Sequence, residues 1–164
     1  MKLDLKKIVH VPGATLSFEH ELDLTGWEWN GNYVVVHPVT VCGTVRNMAG
    51  ALVFNASMKT RLSLCCDRCN QPFEQDKEVS YETLLATELE DEENDDIILL
   101  DDDQLELDEL LTDVFLLSLD TKNLCKEDCQ GLCFGCGVDL NVEPCRCEKE
   151  VDPRLAGLAK FFEK

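Results

Sequence analysis

Positive charge is scarce in this chain. Fifteen Lys and Arg face 33 Asp and Glu in 164 residues, leaving a formal net charge of −18, and no Lys or Arg occurs between Glu78 and Thr121. Phosphate backbones are gripped by Lys and Arg that displace counterions, so RNA binding by the surface as a whole is disfavoured. Basic proteins, or particles that expose them, are the natural partners. Histidine is equally sparse: His10, His20 and His37 all fall in the first 37 residues, far in sequence from every cysteine cluster. Catalytic zinc keeps an open position beside its protein ligands, whereas all-cysteine sites are closed, so this distribution speaks against an enzyme. No glycine motif for nucleotide phosphates occurs. No run approaches the roughly 18 apolar residues of a transmembrane helix. The opening MKLDLKKIVHV carries charge throughout and lacks the apolar stretch of a secretory signal. These absences point to the cytoplasm and away from membranes.

Cysteine, by contrast, is abundant, with ten residues. In a reducing compartment disulfides are rare, and metal ligation is the common remaining use of so many thiols. The length suits one domain with its own core, on which a metal-held lobe can ride.

The first half of the chain reads as β-structure. Leu52, Phe54, Ala56, Met58, Leu62 and Leu64 alternate with Asn55, Ser57, Lys59, Arg61 and Ser63. Val39, Val41 and Val45 precede them in the same rhythm, and Asn47-Met48-Ala49-Gly50 suits a four-residue hairpin connection. Phe73, Val79, Tyr81 and Leu85 continue the pattern after Cys69. Short connections favour an antiparallel sheet with one wet face. Glu88 to Asp96 (ELEDEENDD) is the densest acidic run, read as a solvated loop or as an acidic docking segment. Ile97 to Leu100 suits a short strand. A helix is expected from about Asp108, as its cap, to Asp120, with Leu110, Leu111, Val114, Phe115 and Leu117 on its apolar face. Asp152-Pro153 opens a second short helix buried through Leu155, Leu158, Ala159 and Phe162. The expected fold is α+β: a mainly antiparallel sheet packed by a central helix and a short C-terminal helix, with cysteine-rich zinc-binding loops. As one domain over 1–164, it divides into a β-rich body (1–86), an acidic loop (87–104) and a helix plus zinc-binding lobe (105–164).

Cys66-Asp67-Arg68-Cys69 ends the long strand, and this spacing lets a tight turn aim two sulfurs at one ion. A redox role for the pair would need a thioredoxin-like βαβ setting, which the flanking strands do not provide. Cys125, Cys129, Cys133, Cys136, Cys145 and Cys147 then crowd into 23 residues, with Gly131, Gly135 and Gly137 supplying left-handed turns. Eight cysteines at ligand spacing make two tetrahedral Zn2+ sites. One division groups Cys66, Cys69, Cys125 and Cys129, leaving Cys133, Cys136, Cys145 and Cys147 for the other; the second joins the pairs Cys66/Cys69 and Cys133/Cys136. Iron–sulfur ligation by four cysteines is a further option. Cys42 and Cys65 remain over as small apolar strand residues. Arg68, Lys122, Lys126, Arg146, Lys149 and Arg154 surround the cysteines in sequence, either offsetting the charge of the thiolates or forming a basic island able to meet RNA.

The CDRC pair, the acidic gap, the Leu-rich helix, LCKEDCQGLCFGCGVDLN, a C-x-C pair and DPRLAGL together resemble the YceD family of bacteria and plastids, from about Leu16 to Phe161. The resemblance implies a large ribosomal RNA subunit accumulation protein, whose gene often neighbours that of a small zinc-ribbon ribosomal protein. It maps the family's best-kept elements onto Cys66 and Cys69, Cys125 and Cys129, and Asp152-Pro153-Arg154. Some branches lack the four distal cysteines together, as ligands of one site would be lost. Phe134 stands where many relatives carry Pro. The expectation is a non-catalytic ribosome-biogenesis factor that binds a basic large-subunit ribosomal protein or a pre-ribosomal particle, touching RNA indirectly. The alternative is a zinc-knuckle module acting on ribosomal RNA through Arg68, Lys126, Arg146 and Arg154.

Overall fold

Alternation of apolar and polar residues writes a sheet into the first half of the chain, and the computed structural model, which describes residues 1–29, 31–49, 51–88 and 97–147, contains it. The chain forms two compact units. One comprises Met1–Leu64 with Pro72–Asn123; the other comprises Cys65–Gln71 and the chain from Leu124 onward.

In the first unit the elements in chain order are β1 (Lys2–Asp4), α1 (Lys6–Val9), β2 (Thr15–Leu22), β3 (Glu28–Trp29), β4 (Asn32–Tyr33), β5 (Val39–Met48), β6 (Ala51–Cys65, its last residue in the second unit), β7 (Pro72–Ala86), β8 (Ile97–Leu99), β9 (Gln104–Glu106) and α2 (Leu107–Leu117). Among the described residues the main sheet has the order β2-β5-β6-β7-β8. β2 and β6 both run antiparallel to β5, with Phe18 opposite Gly43 and Val45 opposite Phe54. Six residues join β6 to β7, too few for the crossover a parallel pair needs. β8 pairs with β7 in parallel, Leu84 opposite Ile97, so the antiparallel expectation holds for most of the sheet and not for this edge.

The expected alternation is borne out along β6, where Leu52, Phe54, Ala56, Met58, Leu62 and Leu64 are buried. The hairpin into it is tighter than expected. Asn47 and Met48, expected to turn, instead pair with Leu52 and Ala51, and Ala49 takes a φ of 58°. Two-residue turns with positive φ match the twist of the flanking strands.

The helix runs Leu107–Leu117, so its cap is Glu106, two residues before the expected Asp108, and it ends short of the expected Asp120. The Asp108 carboxylate instead receives the Met1 ammonium and lies 2.5 Å from His20 Nε2. Leu107, Leu111 and Phe115 carry the buried stripe, with Leu110 and Val114 packed beside it. Leu117 is 87% exposed, since two residues at about 100° each turn it away from Phe115. The expected helix after Asp152 and most of the acidic run Glu88 to Asp96 lie outside the described residues.

One buried device is polar. Asn47, 1% exposed, donates from Nδ2 to the carbonyls of Ile8 and Val9 at 2.8 and 2.7 Å, tying the end of α1 to β5. The hydrophobic core, from Leu3 to Leu119, lies wholly within the first unit.

Candidate metal centres

The second unit is built on sulfur. Its buried apolar side chains among the described residues are Cys66, Cys69 and Cys129. The structure gathers the eight candidate ligands into two groups, Cys66/Cys69/Cys125/Cys129 and Cys133/Cys136/Cys145/Cys147, with the sulfurs of each group within 4.8 Å of one another. The two CxxC pairs do not share a group.

Each group has the dimensions of a tetrahedral thiolate cage. Zn–S bonds of about 2.3 Å place sulfurs roughly 3.8 Å apart along every edge. In the first group Cys66 and Cys129 are 3.8 Å apart, and Cys69 and Cys125 are 3.6 Å apart. In the second, Cys133 lies 3.1 Å from Cys145 and 3.8 Å from Cys147, while Cys136 lies 3.9 Å from Cys145. All eight are free thiols. Four thiolates in a closed cage suit a structural ion, and the same donor set also serves iron–sulfur clusters.

Local chain geometry produces these cages. In the turn after β6 the Cys66 N–H bonds the Gln71 carbonyl, and the Asn70 N–H bonds Cys66. The second knuckle repeats the device, with the Gly137 N–H donating to Cys133. Gly131 is left-handed at φ 76°, and a Cβ there would stand 2.9 Å from the Arg68 carbonyl oxygen. Gly135 is not left-handed, against expectation. It serves by being small, because a Cβ there would stand 2.8 Å from Cys147 Sγ.

Electrostatics divide the thiols of each cage. Backbone N–H groups, that of Cys125 foremost, lower Cys66 to about 6, while burial and neighbouring sulfurs push Cys125 up to about 12. The Gln71 amide pulls Cys69 down, but burial and Cys66 leave it above the usual thiol value. The Cys136 backbone amide leads in lowering Cys133 to about 6, and the thiols of Cys136 and Cys145 push Cys147 to about 12. Cys145 is raised, chiefly by Cys133. Without a cation, sulfurs this close cannot all ionise.

The cages differ in exposure. Cys66, Cys69 and Cys129 are buried, whereas Cys136, Cys145 and Cys147 are exposed. Cys42 and Cys65 are also exposed, on outward strand positions, rather than packed in the core. Two of the basic residues near the cysteines have partners among the described residues. Arg68 Nη1 donates to the Cys129 carbonyl at 2.7 Å, and Arg146 pairs with Glu143 at 3.3 Å. Lys149 and Arg154 lie outside the described residues.

Sequence reasoning missed Asn141. Its Nδ2 lies 3.4 Å from Cys129 Sγ, and its Oδ1 accepts the Gln130 N–H at 2.9 Å. The available signal was an Asp-x-Asn turn between two ligand pairs, with Asp139 Oδ1 receiving the Asn141 N–H at 2.9 Å.

A family model described as large ribosomal RNA subunit accumulation protein YceD matches residues 54–162, starting later than the Leu16 from which the resemblance was expected to run. Uncharacterized proteins of Mycobacterium bovis and Mycobacterium tuberculosis are 32% identical over 101 residues, 59% of this chain and 49% of theirs. The chain thus spans about half the length of the curated relatives it matches. No solved structure matches.

Proposed function

The chain belongs to the YceD family, and from that premise we propose that it is a non-catalytic, zinc-binding ribosome-biogenesis factor that supports accumulation of large-subunit ribosomal RNA. Cys66, Cys69, Cys125 and Cys129 hold one Zn2+, and Cys133, Cys136, Cys145 and Cys147 hold the other. The sulfur separations, close to the edges of a Zn(Cys)4 tetrahedron, support this assignment. A bound dication would let all four thiols of each cage ionise and fix the loops that carry them. Cysteine-only groups, with the three histidines in the other unit, fit a structural rather than a catalytic ion. Ten free thiols fit a reducing cytoplasm.

The partner is a basic large-subunit ribosomal protein, or a pre-ribosomal particle that exposes one. The observation that carries this is the cation-free stretch from Glu78 to Thr121 within a family named for ribosomal RNA accumulation. An acidic surface attracts and shields a basic chain, steering it at low salt. Contact with RNA then runs through that protein. Purification of the tagged protein from cells at low salt, followed by RNase, tests the reading. A basic ribosomal protein that survives RNase and leaves with salt is the expected result. Loss of every partner on RNase treatment refutes it and points to direct RNA binding.

A further inference from the structure

We infer that Asn141 makes occupancy of the distal cage a condition for tight metal binding at the proximal one. The inference rests on the reading of both cysteine groups as metal sites. Asn141 belongs in sequence to the distal cage, in the loop between Cys136 and Cys145, yet its side chain serves the proximal cage.

The hydrogen bonds fix which end of the amide faces the sulfur. Asn141 Oδ1 accepts the Gln130 N–H at 2.9 Å, so Nδ2 must point the other way. One Nδ2 hydrogen goes to Asp139 Oδ1 at 2.6 Å, and the other faces Cys129 Sγ at 3.4 Å. An N–H aimed at a thiolate stabilises its negative charge, and such outer partners tune a metal site strongly. Cys129 is buried, so a lost donor there is not readily replaced by water.

The loop bearing Asn141 is held at both ends by distal ligands. Cys133 and Cys136 precede it, and Cys145 and Cys147 follow it. Its middle lies against the strand of chain leaving Cys129: the Leu140 N–H donates to the Gly131 carbonyl at 2.9 Å, and Leu132 bridges Asp139. Closing the distal cage around an ion therefore shortens the loop and sets the Asn141 amide over Cys129. With the distal cage open, the loop has to be ordered without its staple, and the proximal thiolate loses a pre-positioned donor. The two affinities are then linked, and the linkage is reciprocal. Asn141 acts here as a positioning residue, since it touches a ligand and not the ion.

Cobalt titration of the full-length reduced protein against a competing chelator tests this, because the thiolate-to-cobalt bands count the ions bound by cysteine. Wild type takes two ions; fewer than two would overturn the metal reading itself, and this inference with it. Asn141→Ala is expected still to take two, one of them 10- to 100-fold more weakly, with its charge-transfer band moved to lower energy as the thiolate loses its donor. A purely structural role for Asn141 would not move the band. The pair Cys145→Ser and Cys147→Ser is expected to leave one ion, weakened by a similar factor although all four proximal ligands remain. Adding Asn141→Ala to that pair should then change its affinity less than about twofold, as coupled residues do. Unchanged affinities and band in Asn141→Ala overturn the inference. So does a proximal ion held as tightly in the Cys145/Cys147 variant as in wild type.

Discussion

Removal of metal should unfold the second unit and spare the first. The first unit keeps a core from Leu3 to Leu119 that includes no cysteine. The second has only sulfur-bearing side chains at its centre among the described residues, and segments of this size rarely fold without a metal or disulfide staple. Structural zinc supplies about 10–16 kcal/mol per site at neutral pH, and that binding energy is the folding energy of such a unit. Both tryptophans, Trp27 and Trp29, lie in the first unit, so their fluorescence reads that unit alone. On chelation, amide resonances of residues 124–147 should collapse to random-coil dispersion while tryptophan emission stays native. The acid side of the balance follows from the thiols. Cys69 lies above its usual 9.0 and Cys125 near 12, as Cys145 lies above 9.0 and Cys147 near 12, so all four are protonated at pH 7. Loading each cage near pH 7 must expel at least two protons, so affinity rises about 100-fold or more per pH unit around neutrality and falls as the solution is acidified. Calorimetry in buffers of different ionisation enthalpy counts those protons. A metal-free protein with native 124–147 resonances, or an affinity flat with pH, would refute the reasoning.

Three further outcomes follow from single side chains. Asn47→Ala removes two buried donors; the Ile8 carbonyl keeps the Val11 N–H, so the loss is about 2–4 kcal/mol, read by urea unfolding of the tryptophan signal, and a shift under about 0.5 kcal/mol contradicts it. Gly135→Ala places a Cβ against Cys147 Sγ and should cost the protein the distal ion; elemental analysis showing two ions per chain in the variant rules this out. The Met1 ammonium, and after it His20, hold the Asp108 carboxyl below its usual value, so Asp108 contributes stability above about pH 4 that disappears as pH falls through the depressed folded value. Because that carboxylate is half exposed, Asp108→Asn should cost only about 0.5 kcal/mol at pH 7, and the gap between variant and wild type should close in acid; a gap that persists at pH 2 excludes the ion pair as its source.

The legible parts of the fold are those with long periods. β5, β6 and β7 repeat a two-residue rhythm over ten or more positions, and α2 repeats Leu107, Leu111 and Phe115 at helical spacing. β1, β9 and α1 span three or four residues each, too short for any period to show, and β1 pairs with β9 across a hundred residues. Asn47 was partly visible: it occupies the inward phase of Val39, Val41 and Val45, where a polar residue demands a partner. Which eight cysteines cluster could be read from spacing. How they divide could not, because a CxxC turn presents the same two sulfurs to any partner pair. Asn141 shows the remaining limit, since the Asp-x-Asn pattern marks a turn without saying that the amide reaches a ligand of another group.

Charge offers the last link between fold and partner. The few cations of the first unit are largely committed to its own acids: Lys2 to Glu106, Lys6 to Asp102, Lys59 to Glu78, Arg61 to Asp76 and Lys77 to Asp120. Exposed pairs of this kind contribute little stability, about 0–1 kcal/mol each. Their larger effect is on the surface field, because each pairing removes a positive site to which an anion could bind and leaves the surplus carboxylates unopposed. A protein arranged in this way repels nucleic acid over its sheet-bearing unit while attracting cationic protein, and the attraction weakens as salt shortens the Debye length below about 8 Å. Among the described residues of the second unit, Arg68 donates to the Cys129 carbonyl and Arg146 pairs with Glu143, so direct RNA contact, the alternative reading, would draw on the cations of this unit. If the proposed partner is a basic protein, these unopposed carboxylates are the surface it would meet, and its affinity for the chain should fall steeply as salt is raised.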